Sequence, residues 1–162
     1  MVANLRSDDD KIPNHVRNFE GPYGTLTARQ RRHDHLVLIA GGIGITLMRA
    51  LLEDTPYPPG GATLIYRYSQ DAHAVFLDEL RELAERRGVR LCLLPGHRHA
   101  GRSWLPAGYP ATDAEALRDL APHIAAADVY ACGPPAWLTA VRAAARRAGV
   151  RRDDLHTEEY AW

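Results

Sequence analysis

The chain has 162 residues, 46% of them apolar, with 20 basic side chains balanced by 20 acidic ones, which is the length of one domain with enough apolar material for a core. The zero net charge offers no electrostatic footprint for nucleic acid or an anionic membrane surface. No apolar run approaches the ~20 residues of a membrane span and the first residues are charged, so neither a leader peptide nor direct membrane insertion is predicted, and the setting expected is cytoplasmic.

Cys92 and Cys132 lie far apart and form no C-x-x-C pair, which fits two free thiols in a reducing compartment. Lys11 is the only lysine, and it stands in a polar N-terminal stretch. A P-loop lysine, a Schiff base and a Tyr-x-x-x-Lys dehydrogenase pair therefore have no candidate in the body of the chain.

Residues 1–18 are polar and aperiodic, with the charge run Ser7-Asp8-Asp9-Asp10-Lys11, and are expected to be disordered ahead of one domain over 19–162. Phe19-Glu20-Gly21-Pro22-Tyr23-Gly24 reads as a strand end passing into a tight turn, and Arg29 to His35 as a basic, exposed turn. Leu36 to Ala40 is then apolar at every position and runs into Gly41-Gly42-Ile43-Gly44-Ile45-Thr46, after which Leu47, Ala50, Leu51 and Leu52 keep helical spacing. That is strand, glycine turn, helix. A strand without polar alternation is buried on both faces, as in a parallel sheet covered by helices. Glycines at a helix start let the backbone approach a bulky group and aim N–H donors at an anion, for which a pyrophosphate is the natural guest. The pattern is G-x-G-x-x-L rather than G-x-G-x-x-G, so a turn that only packs strand against helix remains the other reading.

Thr55-Pro56-Tyr57-Pro58-Pro59-Gly60-Gly61 breaks the helix, and Ala62 to Tyr68 forms a second strand. Ser69 or Asp71 is expected to cap the next helix, whose face of Phe76, Leu80, Leu83 and Ala84 ends at Gly88. Val89 to Leu94 is a third strand. The Gly/Pro/His/Arg-rich loop of 95–111 is long enough for a site or a lid. Thr112 to Glu115 reads as a capping box opening a short helix through Leu120. Asp128 to Cys132 is a fourth strand closed by Gly133-Pro134-Pro135, with Pro135 at the first position of a helix that runs to Arg147 and is closed by Gly149. Leu155 to Tyr160 is a fifth. Alternating strands and helices predict an α/β fold, a doubly wound parallel sheet of about five strands with helices on both faces. Ligands of such sheets bind at the carboxyl ends of the strands, which here selects 41–46, 66–70, 95–99 and 132–135.

Gly21-Pro22-Tyr23-Gly24, Gly41-Gly42-Ile43-Gly44-Ile45-Thr46, Cys132-Gly133-Pro134-Pro135 and His156-Thr157-Glu158-Glu159-Tyr160-Ala161-Trp162 follow one another in the order and spacing of the ferredoxin–NADP reductase superfamily. More narrowly, the chain resembles the C-terminal nucleotide domain of bacterial ferric-reductase-like flavoproteins, kin to the NADPH oxidases. The resemblance implies a Rossmann-like domain that binds NADPH or NADH, with the glycine loop of Gly41, Gly42, Gly44 and Ile45 at the pyrophosphate and Gly133 and Pro134 also among the cofactor-binding residues. Thr46 and Cys132 would flank the nicotinamide, where a small polarisable thiol can touch the ring. Glu158 maps onto the family's C-terminal acid, and Tyr160 and Trp162 onto its aromatics, with Trp162 covering the flavin. Arg67 and Ser69, just after the second strand, would hold a 2′-phosphate through charge-assisted hydrogen bonds, a tilt toward NADPH. Leu47 stands where family loops carry proline, which implies looser ordering of the loop.

The flavin barrel that precedes this domain in the family, with its FAD, is expected to be missing ahead of Gly21. The resemblance therefore implies an NAD(P)H-binding half that passes hydride to a flavin on a missing domain or partner, and onward to haem, ferric iron or another acceptor, with a membrane haem domain among the partners. A non-catalytic nucleotide-sensing or interaction module is the rival reading. A metal site at His33-x-His35 or His97-x-His99 lacks cysteines or carboxylates at ligand spacing, and none is expected.

Overall fold

A computed structural model of the chain describes residues 31–70, 74–99 and 101–160. The strand-end motif at residues 21–24, the N-terminal segment, Asp71 and Trp162 lie outside them. Five strands, β1 (His35–Gly41), β2 (Ala62–Tyr68), β3 (Arg90–Pro95), β4 (Ala127–Gly133) and β5 (Leu155–Glu159), alternate with helices α1 (Ile45–Asp54), α2 (Leu77–Arg87), α3 (Asp113–Leu120) and α4 (Pro135–Arg147). All pairings are parallel and the strand order is β3-β2-β1-β4-β5. This is the doubly wound sheet that the apolar, non-alternating strands require.

Successive β1 side chains divide between two cores. Leu36, Leu38 and Ala40 pack with Ile45, Met48, Leu52, Leu80 and Leu83 of α1 and α2. Val37 and Ile39 pack with Ala116 and Leu117 of α3 and Leu138, Val141, Ala144 and Ala145 of α4. The period of two along the strand thus puts one helical layer on each face.

The local signals differ in how well they foretell the helix ends. At α3 the capping box pairs the Thr112 amide with Glu115 Oε2 at 3.1 Å and the Glu115 amide with the Thr112 side chain; the Thr112 hydroxyl also donates to Glu115 Oε2, at 2.6 Å, and the bonds from Thr112 hold the Glu115 carboxyl below its ordinary range. Pro135 opens α4, and Gly149, at φ +100°, follows its end. The start of α2 departs from expectation. Phe76, not Ser69, is its N-cap, in the left-handed region at φ +62° with no side-chain cap. Asp78 and Glu79 in the first turn complement the dipole instead, and the Arg49 guanidinium lies 4.7 Å over the Phe76 ring.

At the amino edge of the sheet, fully buried Asp128 fixes the chain as it enters β1. Its carboxylate accepts the Arg32 amide at 3.0 Å on each oxygen and the His33 amide at 2.9 Å, and Arg31 Nε lies 3.5 Å away. His33 Nε2 lies 3.1 Å from Asp154, so the carboxylates gathered near His33 come from β4 and from the turn before β5, not from its neighbour Asp34. The ligand atoms of His33, Asp128 and Asp154 lie within 4.8 Å of one another, but the Asp128 oxygens are already bonded to N–H donors.

Asp128→Ala leaves the Arg32 and His33 amides without their acceptor beside a cation, and is expected to cost about 3 kcal/mol. Urea unfolding checks this, and an unchanged midpoint would contradict the anchoring role.

Candidate functional site

The strand order places a topological switch between β1 and β4: the chain leaves β1 toward β2 on one side and returns at β4 on the other. The carboxyl ends of these two strands form the crevice in which doubly wound sheets take their ligands. β1 ends at Gly41 and turns through a single 3-10 turn, Gly42–Gly44, directly into α1. Gly42 adopts φ +56°, a conformation that favours glycine.

Gly44 is required by contact. A Cβ there would lie 2.2 Å from the Cys132 carbonyl oxygen and 3.2 Å from its Cβ, so the first turn of α1 is pressed onto the backbone of β4. On the opposite face, a Cβ on Gly133 would sit 2.5 Å from the Trp137 ring and one on Gly41 2.9 Å from it. The two strand-end glycines therefore form a floor beneath the indole. That ring is itself located by a chain of bonds. Trp137 Nε1 donates to the Trp104 carbonyl at 3.0 Å, and Trp104 Nε1 donates to the Asp113 carbonyl at 3.1 Å. Trp104, from the loop expected to act as a lid or site, is fully buried and works here as core.

Cys132 follows the same geometry. It stands beside Ala40 of β1 and Glu158 of β5 in register and is 4% exposed. Burial, with the Glu158 carboxylate adding to it, pushes the thiol up to about 12. It is a neutral, packed sulfur at every physiological pH. Burial also raises the Glu158 carboxyl. Thr46 stands exposed in the first turn of α1, whereas Ile45 is fully buried and is a core residue, contributing backbone only. Pro134 is the exposed N-cap of α4. The structure thus brings Gly41, Gly42, Gly44, Cys132, Gly133 and Glu158 together along adjoining strand ends, with Thr46 on the next turn.

Arg67 does not stand out from the end of β2 as a cation awaiting a phosphate. It is 7% exposed, and its guanidinium donates to the carbonyls of Tyr68, Leu94 and His97, the last at 2.9 Å. The His97 carbonyl also accepts the Ala107 amide at 3.0 Å. Arg67 thereby ties β2 to the loop after β3, and burial lowers its pKa. Ser69 is exposed at the strand end.

Tyr160 enters the glycine loop from beyond β5. Its hydroxyl donates to the Gly41 carbonyl at 2.7 Å and accepts the Gly44 amide at 3.1 Å. Trp104, Trp137 and this placement of Tyr160 are what sequence reasoning missed. The alternation of Gly41 and Gly133 at two strand ends was a usable signal for a ring lying across both.

Residues 38–143 match the oxidoreductase NAD-binding domain family. The chain is 31% identical over 140 residues to the ferredoxin reductase component of 3-ketosteroid-9-alpha-monooxygenase from Mycolicibacterium smegmatis, covering 86% of this chain and 37% of that protein. It is 31% identical over 136 residues to the carnitine monooxygenase reductase subunit of Escherichia coli, covering 84% and 37%. Among solved structures, the flavohem-like FAD/NAD-binding domain of nitric oxide dioxygenase from Vibrio cholerae superposes with a TM-score of 0.64 at 22% identity, over 86% of this chain and 55% of that one, a likeness of fold. The chain thus spans little more than a third of the length of these two relatives.

The raised thiol predicts that Cys132 resists iodoacetamide in the folded protein at pH 8 and is alkylated once the chain is unfolded, because only the thiolate attacks. Peptide mapping after timed alkylation checks this. Equal rates in the folded and unfolded chain would contradict the buried, neutral state.

Proposed function

The chain belongs to the oxidoreductase NAD-binding domain family, and from that premise we propose that it is the nicotinamide-nucleotide half of a flavin-dependent, ferredoxin-reductase-like oxidoreductase. The observation that carries this reading is the crevice at the switch point, where Gly44 is pressed against the Cys132 carbonyl and the glycine turn leads straight into α1. A cradle that admits no side chain, at the positive end of a helix, suits a pyrophosphate.

Bound there, the nucleotide supplies a hydride from its nicotinamide. The protein's part is placement and electrostatics. The backbone of Gly41, Gly42 and Gly44 cradles the pyrophosphate, and Gly133 and Pro134 keep the opposite wall low. Thr46 and Cys132 flank the nicotinamide, and the neutral thiol packs against the ring without attacking it. Glu158, adjoining Cys132 in register, is the acid at the nicotinamide end, and Trp162 covers the flavin ring. The FAD resides on a flavin domain supplied by another part of the protein or by a partner. The electrons pass to an oxygenase component, by analogy with the two relatives, which are named as reductase parts of monooxygenases, or to haem or ferric iron, with a haem domain at the cytoplasmic face of a membrane as one such partner. No described helix of this chain is long and apolar enough to cross a membrane.

At the adenosine end, Ser69 meets the ribose or its phosphate, and Arg67 acts by holding the loop at His97. Arg67→Met is expected to cost about 2 kcal/mol through orphaned carbonyls and to leave the ratio of NADPH to NADH affinity unchanged. Parallel calorimetric titrations check this, and a selective NADPH loss of about tenfold, or ~1.4 kcal/mol, would show that the guanidinium reads the 2′-phosphate directly.

The nucleotide site itself is tested by the same titrations on the unaltered chain, which is expected to bind NADH or NADPH with Kd between about 1 μM and 1 mM, the range enzymes commonly use. Gly42→Val, at an exposed left-handed position, is expected to abolish that binding while the fold survives. Hydride transfer should then appear only when a flavin domain is added. Binding that no flavin domain converts into acceptor reduction would favour a nucleotide-sensing module, and absence of binding would overturn the reading.

A further inference from the structure

The helix that begins at the glycine turn has no cap of its own: neither Gly41 nor Gly44 offers a side chain. The first amides of a helix need an acceptor, and an ordinary N-cap supplies an oxygen to the third of them. At the 3-10 turn Gly42–Gly44, which leads into α1, that oxygen is the Tyr160 hydroxyl, 116 residues away in sequence from Gly44, the third amide of the turn, which it accepts at 3.1 Å. The same hydroxyl donates to the Gly41 carbonyl at 2.7 Å, and it lies 3.3 Å from where a Cβ on Gly42 would stand. It bonds two glycines of the cradle and stands beside the third. The Tyr160 amide is anchored to the Gly133 carbonyl at 3.4 Å, so the ring reaches into the turn from the β4 side of the crevice.

We propose that the Tyr160 hydroxyl occupies the place of a nucleotide phosphate oxygen in the glycine turn, and that a nucleotide binds by displacing it. This inference rests on the nucleotide reading of the turn and adds the identity of the internal competitor. Burial raises the Tyr160 phenol, so the group is a neutral hydroxyl at physiological pH. A phosphate oxyanion at the same amide makes a charge-assisted hydrogen bond, shorter and about twice as strong as a neutral one, and gains from the helix dipole. The exchange is therefore favourable but not free, because the Gly41 carbonyl loses its donor and the hydroxyl must be resolvated. Binding energy is diminished by what it takes to dislodge the resident group.

The test is calorimetric titration of wild type and Tyr160→Phe with ADP, which carries the pyrophosphate without the nicotinamide, and with adenosine, which carries neither. Removing the hydroxyl removes the competitor and keeps the ring. Tyr160→Phe is expected to tighten ADP by roughly three- to tenfold, the equivalent of one net hydrogen bond of ~0.7 to 1.4 kcal/mol, and to leave adenosine unchanged. Equal or weaker ADP binding by the variant would overturn the proposal and make Tyr160 a permanent brace of the loop. If neither protein binds ADP, NADH or NADPH, the nucleotide reading itself has failed, a result distinct from unchanged ADP affinity. A measurement on wild type alone guards against a variant that does not fold. Proton NMR contacts between the Tyr160 ring and the Gly44 amide are expected to vanish at saturating ADP, and their persistence would equally overturn the displacement.

Discussion

The architecture of this protein turns on one close approach. The start of α1 touches β4 at Gly44, where any side chain would overlap the Cys132 carbonyl oxygen. That contact draws the first helix across the switch point and narrows the crevice between β1 and β4. Interiors are packed too densely for a neighbour to yield by more than a fraction of an ångström, so glycine at 44 follows from geometry before any ligand is considered. The glycines at 41 and 133 answer the same crowding from the other face, where the Trp137 ring lies across both strand ends. An open crevice, the one proposed to take the pyrophosphate, is what remains when two helices of opposite layers converge on two strands without side chains between them.

The rest of the fold holds these ends in place. Asp128 fastens the entry to β1 at the far edge of the sheet, and the register carries that anchoring along β1 and β4 to Ala40 and Cys132. The loop after β3 does the corresponding work at the site edge. Trp104 fills the core beneath α3 and α4 and its carbonyl fixes the Trp137 indole, while Arg67 ties the Leu94 carbonyl of β3 to the His97 carbonyl of the loop. A long loop rich in Gly, Pro and Arg reads as mobile. This one is partly interior, because two tryptophans needed acceptors for their N–H groups and found them on it and on α3.

Where the chain order of strands, the glycine turn and the α3 capping box were legible, the signal was local: an apolar run, a glycine spacing, a Thr and Glu three residues apart. Each depends on residues within one turn or one strand. Phe76 as the cap of α2, the burial of Arg67 and the reach of Tyr160 into the turn were not legible, because each depends on a partner remote in sequence. Nothing near Phe76 signals a left-handed cap. An arginine near the end of a β-strand looks the same whether its donors meet water, a phosphate or three backbone carbonyls. Likewise the glycine turn advertised an anion site but not that a tyrosine of the same chain already fills the acceptor's place. The family resemblance carried the nucleotide assignment further than spacing alone, and of its motifs the described ones, the glycine turn, residues 132–135 and residues 156–160, lie on β1, β4 and β5 and the turns that follow them.

The most direct test of the central claim is amide mapping by two-dimensional NMR while NADH or NADPH is titrated into the intact chain. Perturbations are expected to concentrate at Gly42, Ile43, Gly44 and Thr46 in the turn and first helical residues, and at Cys132 and Gly133 across the crevice, with little change at the Asp128 edge. Saturating nucleotide that leaves these amides unmoved, or that perturbs the opposite edge of the sheet, would contradict that claim.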